Sequence, residues 1–186
     1  MLEKTFLPRA AIFMKVGYHS LEDLSSIVIR KREEEDRCGF FFWGYGGTVC
    51  HPLKQVQPFA EEYASEGLWL LMIATPSRFE GNPTRAEEFS VDNVTWKPLP
   101  SCALVTGSKY ALVCQHLEKV NLQIDLGWYS IGIGPSKGKP LLNYLRNRVD
   151  KACGVLNPKE VVNTSGKMVN IAFRAKLVEP LAVFLR

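Results

Sequence analysis

The chain has 186 residues, 46% hydrophobic and 23% charged, with a net charge of +4. That balance fits one globular domain with enough apolar material for a core, and it excludes a disordered or collagen-like chain. No run of about 18 apolar residues exists, so no membrane-spanning helix is expected.

The opening MLEKTFLPRAAIF contains Glu3 and Pro8 and lacks the apolar centre of a secretory signal. Five cysteines (Cys38, Cys50, Cys102, Cys114, Cys153) form no C-x-x-C pair. Odd in number and scattered, they fit reduced thiols better than a disulfide framework, and the expectation is a soluble, cytoplasmic protein.

Residues 6–18 predict a short strand after Pro8. Ser20 with Asp23 makes a weak capping box, and Leu21, Leu24, Ile27 and Val28 share a helical face. The helix is expected from Leu21 to about Arg37, with the charged run 30–36 as its solvated end and Gly39 beyond its cap. Phe40 to Trp43 read as a buried strand released by Gly44, Gly46 and Gly47. Val56, Phe59, Ala60 and Tyr63 have helical spacing, with Pro58 in the first turn and Gly67 as the stop.

LWLLMIAT (68–75) predicts a central strand. Residues 76–90 are polar and broken by Pro and Gly, which reads as a loop or lid. Short strands are expected at Val91–Trp96, Cys102–Thr106, Tyr110–Gln115, Leu122–Leu126 and Tyr129–Ile133. Leu141, Leu142, Leu145, Val149 and Ala152 make the stripe of a third helix, and Met168–Val178 and Leu181–Phe184 return as strand. No repeat or linker divides the chain. The reading is one α+β domain over 1–186, with a mixed or mainly antiparallel sheet and about three helices packed on it.

The charge excess is local. Lys137, Lys139, Arg146, Arg148 and Lys151 face only Asp150, which accounts for the whole +4. Within this segment Gly132, Gly134 and Gly138 release the backbone, and Pro140 suits a first helical position. A helix start, Ser136, Lys137, Lys139 and Arg146 together describe an anion cradle. The spacing fails both phosphate-loop patterns: one residue short of G-x-x-x-x-G-K-[ST], and one residue long against G-x-G-x-x-G. NTP hydrolysis and dinucleotide redox chemistry are therefore not expected.

Trp43 and Tyr45 on a glycine-rich turn offer rings for stacking a base, because strand alternation should turn at least one of them outward. Trp128, just before the basic turn, is a further stacking candidate. The candidate ligand-binding set is thus Gly134, Ser136, Lys137, Gly138, Lys139, Arg146, Trp43, Tyr45 and Trp128.

No residue set stands out as catalytic. Cys50 and His51 are sequence neighbours, whereas a nucleophile and its base usually come from separate segments. His19, His51 and His116 are isolated, no zinc spacing exists, and no metal or cofactor is expected. The composite expectation is binding of a nucleotide or nucleotide-derived phosphorylated small molecule, as a sensor or as a sink that sequesters the signal. A sink suits small virus-encoded proteins that blunt nucleotide signalling, by analogy of class alone. The alternatives are an RNA or single-stranded nucleic-acid-binding module, and a metal-independent phosphodiesterase or other hydrolase built on a histidine and the lysines. A site completed in a homo-oligomer would escape such a reading.

Overall fold

Strand alternation sends Ile12 and Val16 into one apolar layer and Ala11 and Phe13 into another. A strand covered on both faces reads as a continuous apolar run. The computed structural model, which describes residues 6–46, 52–80, 83–145, 149–161 and 166–186, places this strand, β1 (Ala10–His19), inside a nine-stranded sheet. The others are β2 (Phe41–Gly46), β3 (Trp69–Phe79), β4 (Glu88–Ser90), β5 (Lys97–Pro98), β6 (Tyr110–Asp125), β7 (Tyr129–Ile131), β8 (Lys151–Leu156) and β9 (Met168–Leu185). The main order is β2-β6-β9-β3-β1-β8-β7, with β4 joining β9 and β5. β1 and β3 run parallel, and the other pairings are antiparallel. The α+β architecture with a mixed sheet is the one expected, and β3 is central as expected.

Two helices supply the first apolar layer: α1 (Leu24–Cys38) through Ile27 and Val28, and α2 (Leu53–Tyr63) through Val56, Phe59, Ala60 and Tyr63. Burying each large apolar side chain there contributes about 1.5–3 kcal/mol. α3 (Leu141–Leu145) covers the opposite layer with Leu126, Trp128 and Tyr129. A third cluster packs Val105 against the other face of β2, β6 and β9 through Phe42, Val113 and Val183.

Several boundaries differ from expectation. α1 begins at Leu24, because the Asp23 carboxylate, and not Ser20, caps it by accepting from Ser26 N at 2.7 Å. Pro58 lies inside α2, which starts at Leu53. The third helix is only five residues among those described; Ala152 of its expected stripe belongs to β8, where it serves strand burial. Residues 76–79 prolong β3 and 88–90 form β4, so the stretch 76–90 is not one loop. Residues 91–95 are bends held by Asp92, whose carboxylate accepts from Val94 N and Thr95 N. Those short bonds to charge outcompete a strand, and they hold the Asp92 carboxyl below its usual range. The expected strand at 102–106 is a turn followed by irregular backbone. β6 and β9 each unite two expected strands, because bulges let the pairing continue past the interruptions.

The charged run of α1 is wet only in part: Arg32, Glu33 and Asp36 are exposed as expected, but two of its residues turn inward. Lys31 and Glu34 are buried and paired at 2.8 Å. Glu34 Oε1 accepts from Phe42 N, while Lys31 Nζ donates to Leu104 O at 2.9 Å. Helical spacing could not reveal that β2 and the 103–105 segment would close over this side.

The cysteine expectation also changes. Cys38, at the end of α1, is joined to Cys102 by a disulfide across 64 positions. Cys114 and Cys153 are free and buried, and burial pushes both thiols up. Sequence spacing carries no signal for a pair so far apart. Cys50 lies outside the described residues.

Candidate functional site

The parallel pair creates the site. β1 and β3 stay in register from Ala11↔Trp69 to Val16↔Ala74, then shift so that Tyr18 meets Arg78. Gly17 permits the bulged chain to cross close by, since a Cβ there would lie 2.5 Å from Ser77 O and 2.9 Å from Thr75 O. At the carboxyl ends of these strands a cleft of about 480 Å³ opens beneath α1. Its walls come from Met14–His19 of β1, Arg30 and Lys31 of α1, Trp43 of β2, Ser77–Phe79 of β3, Leu104–Ser108, and Asp150–Lys151. Clefts of this size, at carboxyl ends of parallel strands, are where small ligands usually bind.

Charge and aromatic surface converge there. Lys15, Arg30, Lys31, Arg78 and Lys151 line the cleft against Asp150 alone. Arg30 is committed to Glu22 (2.6 Å) and Leu104 O (3.1 Å), as Lys31 is to Glu34, while Arg78 has an exposed partner in Glu80 at 3.4 Å. Lys151 Nζ sits 5.4 Å from the centre of the Tyr45 ring, and Arg78 lies 4.3 Å over the ring of Tyr18. Trp43 Nε1 donates to Met14 Sδ at 3.2 Å, which fixes the indole in the wall. At the mouth His19 stacks on Phe79 with centroids 5.1 Å apart and planes at 27°. Burial holds the His19 imidazolium below its ordinary range; Lys151 and Arg30 push the same way, and Glu22 opposes them.

The nine sequence candidates are not gathered into this cleft. Trp43 lines it, but its side chain belongs to the core. Tyr45 is fully buried on the same side as Trp43, so neither ring turns outward: residues two apart share a face, and that face is the one under α1. Trp128 is buried in the opposite layer. Gly134, Ser136, Lys137, Gly138 and Lys139 form a separate surface turn in which Gly134 and Gly138 adopt φ of 68° and 85°, as glycine freedom anticipates. Three of the turn's amides serve its own chain: Lys137 N donates to Gly134 O, Gly138 N to Ile131 O, and Lys139 N to Ser136 O. Lys137 and Lys139 are exposed. Arg146 lies outside the described residues. From the basic segment it is Lys151 that reaches the cleft.

Sequence reasoning missed Tyr18 and Arg78, and it named His19 and Lys151 without bringing them to one site. The available signal was an apolar strand followed by helix and second apolar strand (10–16, 24–38, 69–73), the unit that makes parallel neighbours and a cleft at their ends. Among the described residues no group of three or more His, Cys, Asp or Glu is placed to hold a metal ion. No helix among them is long and apolar enough to cross a membrane. Comparison with protein-family models, with curated proteins and with solved structures finds no match to this chain.

Proposed function

We propose that the protein binds a nucleotide or nucleotide-derived phosphorylated small molecule in the cleft at the ends of β1 and β3. The observation that carries this reading is the convergence of Arg78 and Lys151 with Trp43, Tyr18 and His19 around one cavity of about 480 Å³. Cations supply charge-assisted hydrogen bonds to phosphate, and aromatic walls accept a flat base. Concavity favours a compact ligand over a long nucleic-acid tract, which needs an extended basic surface. The surface turn 134–139 is secondary in this reading, because the amides of Lys137, Gly138 and Lys139 are already used.

Release without chemistry fits a sensor or sink. A cytoplasmic place belongs to the proposal, supported by the buried thiols Cys114 and Cys153. The Cys38–Cys102 disulfide counts against it, since reducing compartments keep such bonds rare.

The test is a thermal-shift screen of mononucleotides, cyclic oligonucleotides and adenosine diphosphate ribose derivatives, followed by heat release and identification of what was bound. At about 100 times Kd a ligand stabilises the fold by about 2.7 kcal/mol, a readable shift. Intact ligand supports a sink or sensor, and altered ligand an enzyme. A response seen only with oligonucleotides, falling steeply with salt, would favour nucleic-acid binding instead.

A further inference from the structure

The turn that closes β1 is unusual for its residues. His19 N donates to Glu22 O at 2.9 Å and Glu22 N returns to His19 O at 3.0 Å, a two-residue link. Ser20 and Leu21 between them have φ of 52° and 69°. Positive φ at both central positions is ordinarily filled by Asn-Gly or Gly-Gly. Strained non-glycine backbone persists where the surroundings over-determine it, and it concentrates at functional sites.

The surroundings do over-determine this turn. Ser20 N donates to Phe79 O at 2.8 Å. Glu22 receives two bonds from Arg30, at 3.0 and 2.6 Å, and Arg30 is anchored on Leu104 O. The His19 ring is held flat against Phe79. The conformation brings Ser20 Oγ to 2.8 Å from Nδ1 of His19, and His19 itself lines the cleft. Side chains of sequence neighbours rarely meet in this way; the left-handed backbone at Ser20 allows it. The Leu21 amide takes part in no hydrogen bond among the described residues, and it directly follows the serine. An amide in that position is a ready donor to an oxyanion.

We propose that Ser20 and His19 are a nucleophile and base that cleave a carboxylic ester of an anionic small molecule. In the first step the Ser20 Oγ–C bond forms as its proton passes to His19 Nδ1. The ester C–O bond then breaks, and that proton leaves on the departing alcohol. In the second step water attacks the acyl carbon, the acyl C–Oγ bond breaks to release the carboxylic acid, and the proton taken from water passes through His19 to Ser20 Oγ, which restores the pair. Arg78 and Lys151 attract the anionic end of the substrate, and the Leu21 N–H faces the oxyanion. Glu22 within the turn, Lys151 at the start of β8 and Arg30 from α1 are the charged groups that act on His19. Their balance, with burial, keeps the imidazole neutral and able to accept a proton near neutral pH.

The proposal goes beyond binding and is tested without any nucleotide. The intact protein is treated with a fluorophosphonate reporter, and the modified residue is located by peptide mass. Ser20 is expected to label, Ser20→Ala to lose the label, and His19→Gln to slow it at least tenfold. The wild-type rate should rise with pH through a midpoint below 6.5, the ordinary value for histidine. Hydrolysis of 4-nitrophenyl acetate should follow the same order. Labelling of Ser20 no faster than that of other serines overturns the proposal, as does a His19→Gln protein that labels like wild type. Locating the label in the wild-type protein decides the matter even where a variant fails to fold. Absence of nucleotide binding leaves this result standing, so the two readings fail separately.

Discussion

Lys31 Nζ and Glu34 Oε2 meet at 2.8 Å in the interior, with side chains only 5% and 1% exposed. The pair fastens α1 to two neighbours at once, through Phe42 N on β2 and Leu104 O. Burial pushes the Lys31 ammonium down and Glu34 opposes it, the usual contest for a charge taken out of water. The pair also fixes the wall of the cleft, which Lys31 and Leu104 both line.

Removing one partner should therefore cost much more than a surface pair. Lys31→Ala or Glu34→Ala is expected to destabilise by about 3–5 kcal/mol, because a buried charge is left uncompensated. Arg9→Ala, which removes an exposed partner of Glu66, should change stability far less. Urea denaturation midpoints compare the three directly.

The disulfide gives a second expectation. Closing a loop of 64 positions restricts the unfolded chain by about 4 kcal/mol in the chain-entropy description. Reduction, or Cys38→Ser, should lower the melting temperature, while Cys114 and Cys153 should react with thiol reagents only on unfolding. An unchanged melting temperature in dithiothreitol would count against the bond.

Gly17 tests the bulge that forms the cleft floor. A Cβ there would sit 2.5 Å from Ser77 O, which is backbone and cannot swing away. Gly17→Ala should destabilise by about 1–3 kcal/mol, the usual range for overpacking. It should also weaken any cleft ligand, because Ser77, Arg78 and Phe79 must shift together.

How much of this was legible in the sequence follows from the range of the interactions. Ile27, Val28, Val56, Phe59, Ala60 and Tyr63 announce helices because their spacing is local, and 68–75 announces a strand by its apolar run. The parallel pairing of Ala11 with Trp69, and the closure of β2 over Glu34, depend on contacts far apart in the chain. So does the meeting of Arg78 with Tyr18, and with it the cleft. The basic turn is conspicuous because its residues are contiguous, yet three of its amides close on Ile131, Gly134 and Ser136. Trp43 was found for its chemistry and misjudged in direction, since the sequence does not say which sheet face α1 would cover.

His19 predicts a pH dependence with a definite sign. Its folded pKa lies below the unfolded value of about 6.5, because burial disfavours the imidazolium. The unfolded chain then binds more protons between the two values, so this contribution is present above about pH 6.5 and is lost as pH falls through that window. His19→Gln should flatten that part of the stability curve. Denaturation midpoints across pH 5 to 8, wild type against variant, measure the difference.

The proposed anionic ligand occupies the cleft between β1, β3 and α1. The most direct measurement is the calorimetric affinity of the best nucleotide from the thermal-shift screen, for wild type, Arg78→Ala with Lys151→Ala, and Lys137→Ala with Lys139→Ala. Each lost charge-assisted hydrogen bond is worth about 1.5–3 kcal/mol, so the Arg78–Lys151 variant should bind at least tenfold more weakly. The surface-turn variant should bind as wild type does. Equal affinity of the cleft variant and wild type, or no phosphorylated compound bound by any of the three, would contradict the account.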